Sequence, residues 1–173
     1  MPQTPRPAGF TMVEILVVMS VIAVVAAVSI PLVLRAKVGA HEASAISSLR
    51  AIHDAQEIFR STCGKDTMFA TSLPQLGAAL TITKDLSLTA IVIKSGYVLT
   101  MTTEAVPEKV DTCTSGPVGT HWYASAVPQL PGITGDRGFA TAADQDIWQD
   151  LKGTAPPEPF QANDHVSRLE NGR

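Results

Sequence analysis

An acidic side chain stands at the edge of a long apolar run near the start of the chain. Residues 15–34 carry no charged side chain, and Glu14 immediately precedes them. A carboxylate at the centre of a spanning helix costs roughly 2.5 to 3.5 kcal/mol, so a simple anchor would usually omit it. Cleavage of the Gly9–Phe10 peptide bond would supply a compensating charge, because the new amino group on Phe10 would lie one helical turn before Glu14. A carboxylate at this position is also stabilised by the helix N-terminus.

The apolar run is long enough to cross a bilayer as a helix. Twenty helical residues rise about 30 Å, which matches the hydrocarbon thickness of a membrane. Arg35 and Lys37 follow the run. A secretory signal peptide would have a shorter apolar stretch and a cleavage site after it, so a processing signal here must precede the run. A plain signal anchor, or an uncut lipid-facing helix, stays open on hydropathy alone.

The sequence GFTMVE at residues 9–14, followed at once by the apolar run, resembles the leader junction of type IV prepilins and type II secretion pseudopilins. The resemblance implies a leader peptide of residues 1–9, cleavage by prepilin peptidase between Gly9 and Phe10, and N-methylation of Phe10. It gives Glu14 a role in assembly, where the acid pairs with the N-terminal amine of a neighbouring subunit. Pro31 matches a family proline at a helix kink. Ala23 stands where many members have a helix-weakening glycine, which leaves the extent of local melting open.

The resemblance implies a pilin-like α+β fold, in which a long N-terminal helix packs on a small antiparallel sheet of three to four strands. Residues 10–36 would be the transmembrane and polymerisation part of the helix, and residues 37–60 its amphipathic continuation. A free coiled-coil stalk is the alternative for this continuation, but sustained heptads are missing. Residues 61–150 would form a globular, β-rich head. The apolar stripe predicted to pack is Ala45, Leu49, Ile52, Ala55 and Phe59, and the face predicted to meet water is Glu42, Ser47, Arg50, Asp54 and Glu57.

Runs of strand-forming residues follow in the head. Two of them are joined by Ser95-Gly96, which is a good hairpin signal. Strands with one apolar face need a cover, and the amphipathic helix can supply it. The predicted strands are residues 88–94, 97–102, 122–127 and 138–141, with residues 146–148 returning as an edge.

Two further segments have recognisable composition. Ser72 is placed to cap a short helix that extends to residue 80, with Pro74 in its first turn. Residues 151–173 are rich in proline and charge and contain few apolar residues. This composition predicts a flexible tail.

The chain has two cysteines, Cys63 at the end of the long helix and Cys113 after the hairpin. Disulfides persist outside the cytoplasm. A bridge that closes a loop of this size would stabilise the fold by roughly 4 kcal/mol on the chain-entropy model. We predict a disulfide between Cys63 and Cys113, with two unpaired thiols as the alternative.

Metal ligands are not grouped in the sequence. The four histidines, which include His53, lack the close spacing of zinc ligands, and His53 with Glu57 predicts an exposed helical pair. Asp136, Asp144 and Asp146 are weak calcium candidates, because oxygen-rich loops bind calcium and some secretion pseudopilins have such a site. Aspartates that form turns are the alternative. We expect no resident metal and no cofactor.

Charge and motifs disfavour two broad classes of function. A formal net charge of -3 provides no basic patch for nucleic acid. The sequence also has no Walker loop, no nucleophile elbow and no cysteine placed with a catalytic histidine. We therefore expect neither nucleic-acid binding nor enzymatic activity.

The resemblance implies a structural subunit of a type IV pilus or a type II secretion pseudopilus. Such a subunit is stored in the inner membrane, single-pass with its head outside the cytoplasm, and then joins an extracellular or periplasmic filament. Its implied partners are copies of itself and other pilins, the prepilin peptidase, membrane lipid before assembly, and an inner-membrane assembly platform with a cytoplasmic ATPase motor. The alternative is a bitopic membrane protein whose extracytoplasmic domain binds a partner or ligand.

Overall fold

The structure is a computed structural model that describes residues 9–106, 112–143 and 146–169. The chain forms two compact units, which meet between Lys37 and Val38. The long helix α1 (Met12–Thr62) runs through this boundary and contributes to both units.

The first unit is dominated by the apolar part of α1. A window of 18 residues in this helix has a mean hydropathy of 2.8, and none of it is buried in the structure. Its large side chains are widely exposed, as in Val24 at 68% and Leu16 at 66%. The helix is therefore long and apolar enough to cross a membrane, and a surface of this kind needs lipid or other apolar helices around it.

The second unit is an antiparallel sheet with helices. The rest of α1 packs on the sheet, and two short helices, α2 (Leu73–Ala78) and α3 (Lys84–Ser87), lie before the main strands. The sheet order is β2-β3-β4-β5-β6-β7, and β1 pairs with β4 beside this path. All of these pairs are antiparallel. The strands are β1 (Phe69–Ala70), β2 (Ile91–Lys94), β3 (Tyr97–Ala105), β4 (Val118–Pro128), β5 (Gly138–Ala142), β6 (Ile147–Asp150) and β7 (Val166–Arg168).

The core lies between α1 and the inner face of the sheet. In β3, Tyr97, Leu99 and Met101 are buried and alternate with more accessible residues, because successive side chains in a strand point to opposite faces. The helix contributes every residue of the predicted apolar stripe, and each is at most 1% exposed. The stripe is Ala45, Leu49, Ile52, Ala55 and Phe59.

One buried polar residue of α1 bonds to the backbone of β1. Gln56 is fully buried, its side-chain Oε1 accepts from the Ala70 N–H at 3.0 Å, and its Nε2 donates to the Ala70 carbonyl at 2.9 Å. The amide thus pairs with both backbone groups of Ala70, as a neighbouring strand would. Buried amides are tolerated when they are paired in this way, and here the pairing attaches β1 to the helix.

The α+β class, the long helix and its packing on an antiparallel sheet are confirmed. The predicted hairpin is β2 and β3, joined at Ser95-Gly96. The predicted short helix is α2, in which the Ser72 side chain accepts a hydrogen bond from the Gln75 N–H and Pro74 lies in the first turn.

The sheet is larger than predicted. It has seven strands among the described residues rather than three to four. The additional strands include β1, with two residues, and β7, with three. Such short segments are held by neighbours distant in sequence and have too few residues to show an alternating pattern.

The prediction of a flexible tail over residues 151–173 is wrong for residues 151–169. β7 pairs with β6, and Phe160 stacks on Trp148 with ring centroids 5.4 Å apart. The Tyr123 hydroxyl donates to the Pro156 carbonyl at 2.6 Å. A few anchoring side chains therefore hold this segment on the outer face of the sheet, whereas its average composition indicated disorder. Residues 170–173 lie outside the described part.

Two polar residues of α1 were also assigned to the wrong environment. Glu42 was predicted to face water but is 6% exposed. His53 was predicted to form an exposed pair with Glu57 but is 9% exposed and lies 5.5 Å from the Trp122 ring. Glu57 instead pairs with Arg60 at 2.7 Å.

Candidate functional site

The predicted cleavage point lies in exposed chain just before α1. Gly9 and Phe10 are outside the helix, and Phe10 is 78% exposed. No heavy atom lies within 4 Å of the position that a side chain on Gly9 would occupy. Within the described residues, nothing packs against Gly9.

The first turn of α1 is capped by Thr11, a role that was not predicted from the sequence. Its hydroxyl accepts a hydrogen bond from the Glu14 N–H at 3.2 Å, and its carbonyl accepts from the Ile15 N–H at 3.3 Å. Thr11 and Glu14 also match the T-x-x-E spacing of a capping box, a sequence signal that marks a helix start. The cap fixes the helix start immediately after Phe10.

Glu14 lies in this first turn and is exposed. Among the described residues, no cationic side chain forms an ion pair with it. Its carboxylate lies near the positive end of the helix dipole. It is therefore available to an amine, whether the N-terminus of its own chain or that of a neighbour.

Pro31 lies inside the continuous helix α1. Proline has no N–H to donate, so the Ala27 carbonyl loses its usual helical partner. The kink at Pro31 stays a prediction.

The predicted disulfide is confirmed. Cys63 and Cys113 are bonded, with their Cα atoms 5.0 Å apart and a sequence separation of 50. Cys63 directly follows α1, so the bridge ties the end of the helix to the loop before β4.

An ion pair with a buried carboxylate and a half-buried guanidinium joins the helix to the segment before β5. Glu42 Oε2 accepts from Nε and Nη2 of Arg137 at 3.0 and 2.6 Å. Its Oε1 accepts from the N–H groups of Asp136 and Arg137 at 3.0 and 3.2 Å. Burial on its own would raise the pKa of Glu42, but these hydrogen bonds and the Arg137 charge outweigh it, and the pKa is lowered. The carboxylate therefore stays ionised and holds the segment in place.

Tyr97 and Gly135 also hold the segment before β5 in place. The Tyr97 hydroxyl donates to the Arg137 carbonyl at 2.8 Å, and burial raises the pKa of Tyr97. Gly135 lies directly against this ring, so that any side chain there would collide with the Tyr97 hydroxyl. The roles of Glu42, Arg137 and Tyr97 were not predicted from the sequence. The available signal was the position of Glu42, which lies three residues before Ala45 and so on the same face of the helix as the buried stripe.

The calcium candidates are not brought together in the described residues. Asp136 is exposed, with its backbone N–H bonded to Glu42, and Asp146 pairs with Arg168. Asp144 lies outside the described residues. No group of three or more histidine, cysteine or acidic side chains suited to a metal is found in the described ranges.

Comparison with known proteins supports the N-terminal features. The family model of the prokaryotic N-terminal methylation motif matches residues 5–30. This range includes Gly9, Phe10 and Glu14 together with most of the apolar run. Searches among curated proteins and among solved structures found no match.

Proposed function

We propose that this chain is a structural subunit of a type IV pilus or of a type II secretion pseudopilus. It carries the prokaryotic N-terminal methylation motif, which is the hallmark of type IV pilins and pseudopilins. The single observation that carries the proposal is that this motif covers the junction at residues 9–14 and most of an apolar helix whose surface is left exposed.

The apolar helix gives the proposal its physical basis. Residues 15–34 are uncharged and unburied, so in water they would aggregate. Lipid covers them during storage, and copies of the same helix cover them in a filament. Apolar surface thus remains out of water in both states, and exchange between them needs little net hydrophobic free energy.

Glu14 provides the selectivity of the assembly step. After cleavage between Gly9 and Phe10 and methylation of Phe10, the filament contains a cationic chain end for each acidic side chain. A subunit in the wrong register leaves its carboxylate buried without a partner, which is costly in a low-dielectric environment. The acid therefore favours one axial register between neighbouring helices, whereas uniformly apolar helices would permit many.

The head is stabilised by a disulfide, which suits the location outside the cytoplasm that both kinds of filament share. On this proposal, the partners are other pilins, prepilin peptidase, and a membrane platform driven by a cytoplasmic ATPase. The role is structural rather than enzymatic.

Mass spectrometry of the protein purified from its native membrane tests the proposal. A mature chain that begins with N-methylated Phe10 supports it. A chain that keeps Met1 contradicts it and favours a bitopic protein with a partner-binding head. As a matched pair, Gly9→Val should block cleavage by co-expressed prepilin peptidase, whereas Gly39→Ala, inside α1, should leave cleavage unchanged.

A further inference from the structure

The two bonded cysteines of the head differ in their exposure to solvent. Cys63 is 7% exposed and belongs to the hydrophobic core, whereas Cys113 is exposed in the loop before β4. Cys63 also directly follows α1, and its N–H donates to the Phe59 carbonyl at 2.8 Å. The C-terminal end of a helix carries partial negative charge, which disfavours a thiolate at this position. A reagent in solvent therefore reaches Cys113 more readily than Cys63.

Gln75 of α2 holds the loop that carries Cys113 through contacts that do not involve sulfur. Gln75 is 6% exposed, and its Nε2 donates to the Thr114 hydroxyl at 3.2 Å and to the Pro117 carbonyl at 3.2 Å. Its Oε1 accepts from the Thr71 N–H at 2.8 Å. The Thr71 hydroxyl donates to the same Pro117 carbonyl at 3.2 Å. The loop is thus attached to α2 on the C-terminal side of Cys113.

The chain enters the sheet directly after this loop. Val118 pairs with Ala70 of β1, and β1 is in turn bonded to the buried amide of Gln56. Cys63 is held by the end of α1, and Cys113 is held by Gln75 and by this strand pair. Neither arrangement requires the covalent bond, so we infer that the folded chain keeps the two cysteines close together while their thiols are reduced.

We propose that Cys113 is the residue at which an external disulfide oxidises the folded head, and that Cys63 completes the bond. The oxidant is a disulfide such as oxidised glutathione or the active-site disulfide of a thiol oxidase. First, the Cys113 thiolate attacks one oxidant sulfur, a mixed disulfide forms, and the other oxidant sulfur leaves as a thiolate. The Cys63 thiolate then attacks Cys113 Sγ, and the second oxidant sulfur leaves. The two cysteines lose two electrons and two protons, which the oxidant gains as two thiols.

Gln75 is the positioning residue for the second step. Closure needs the two Cα atoms about as close as the 5.0 Å of the bonded chain. A loop already docked on Gln75 is near this arrangement before the bond forms, so closure does not have to wait for a search by a free loop. The inference depends on the fold of the head and not on filament assembly, so its failure would leave the proposed function untouched.

Single-cysteine variants of the full-length chain in detergent test the first step. Cys63→Ser leaves only Cys113, and Cys113→Ser leaves only Cys63. Each reduced variant is given oxidised glutathione, and mass spectrometry follows the mixed disulfide. We expect Cys113 to react at least about tenfold faster than Cys63 in the folded chain, because buried thiols are inert, and the two rates to converge in urea. Equal rates without urea, or faster reaction at Cys63, overturn the inference.

Reduced wild-type chain provides a second measurement that needs no substitution. The reaction with oxidised glutathione is quenched early with acid, and peptide mass spectrometry locates the bound glutathione. We expect it on Cys113. Glutathione on Cys63, or on both cysteines equally, contradicts the proposed order of attack.

Gln75→Leu and Thr114→Val test the second step. Both should accumulate the mixed disulfide at least about threefold more than wild type, because closure slows while the first step is unchanged. Thr114→Val removes only one loop contact and leaves α2 intact. Gln149→Leu is the matched control, since the amide of Gln149 lies on β6 and bonds to Arg137 and Ser167. Wild-type closure in both loop variants, or equally slow closure in the control, overturns the role of Gln75.

Discussion

Glu42 of α1 accepts four hydrogen bonds from two consecutive residues, Asp136 and Arg137, that lie more than ninety residues later in the chain. Both carboxylate oxygens are used, one by the two backbone N–H groups and the other by the guanidinium. This buried acid thus holds the segment before β5 against the helix, beside a second contact between His41 Nδ1 and the Thr134 carbonyl oxygen at 3.1 Å.

Glu42→Gln should destabilise the head by about 2 to 3 kcal/mol. Removal of one partner leaves Arg137 without its charge partner, which costs about 3 to 5 kcal/mol in fully buried pairs. The guanidinium here is 34% exposed, which lowers the expected cost. Urea unfolding of the full-length chain in detergent, followed by tryptophan fluorescence, measures the change. Glu57→Gln is the control, since the exposed Glu57–Arg60 pair should contribute less than about 1 kcal/mol.

The same pair should make stability depend on acid pH. The pKa of Glu42 is lowered by folding from its ordinary value of 4.5, so the unfolded chain takes up a proton first as the pH falls. The stabilisation is complete above that value and is lost as the pH drops through the folded pKa. We expect the stability difference between wild type and Glu42→Gln to be constant at neutral pH and to shrink below pH 4.5. A difference that grows in acid would contradict this assignment.

The features that could be predicted from the sequence are the periodic and the local ones. The apolar stripe of α1 repeats at helical spacing, Ser95-Gly96 is a turn signal between two strand-like runs, and the chain has two cysteines to pair. Each of these patterns lies within a short stretch of sequence or, for the two cysteines, allows only one pairing. Glu42 could not be placed in the same way, because its partner Arg137 is set by the tertiary fold.

The tail is a second feature whose structure could not be predicted from the sequence. Its average composition indicates disorder, yet Phe160 stacks on Trp148 and Val166 is buried in β7. A few apolar side chains of this kind hold a polar segment in place, because the folded sheet provides a surface on which they pack. The N-terminal junction could be recognised because Gly9, Phe10 and Glu14 lie in one short segment, which the methylation-motif model also matches, and the cap provided by Thr11 belongs to the same segment.

Gly135→Ala should lower stability by about 2 kcal/mol or more, in the range of overpacked core positions. The added methyl group would overlap the Tyr97 hydroxyl, which bonds to the Arg137 carbonyl at 2.8 Å. Gly39→Ala is the contrast, because the space around Gly39 is open and alanine favours a helix by about 1 kcal/mol. Thermal unfolding should therefore move in opposite directions for the two variants. Equal shifts would argue against close packing at Gly135.

Loss of the disulfide should cost about 4 kcal/mol on the chain-entropy model. The bond between Cys63 and Cys113 closes a loop with a sequence separation of 50. Its removal increases the conformational entropy of the unfolded chain and so favours unfolding. Unfolding of the Cys63→Ser, Cys113→Ser double variant, compared with the oxidised wild type, measures the effect. A reducing agent should lower the wild-type midpoint and leave that of the double variant unchanged.

Tyr123 should make the head less stable in strong alkali. Burial, with the nearby Glu158 charge, raises the pKa of Tyr123 from 10.0 to about 12. The unfolded chain therefore loses its phenolic proton first, and stability falls as the pH rises from 10 towards 12. Tyr123→Phe should reduce this dependence of stability on pH. It should not abolish it, because the pKa of Tyr97 is also raised. Unfolding midpoints at several alkaline pH values provide the measurement, and an unchanged slope would contradict the prediction.

Glu14→Ala should abolish or strongly reduce filament formation and leave membrane insertion intact. On the proposed function, insertion depends on the apolar run, which the substitution makes slightly more apolar, whereas register depends on pairing between the carboxylate and a neighbouring methylated Phe10 amine. Asp54→Asn, an exposed acid on the head's part of α1, is the matched control and should assemble normally. Sheared filaments and membrane fractions, each measured by immunoblot, separate the two effects. Wild-type filament yield from Glu14→Ala would mean that helix packing alone selects the register and that the acid has another purpose.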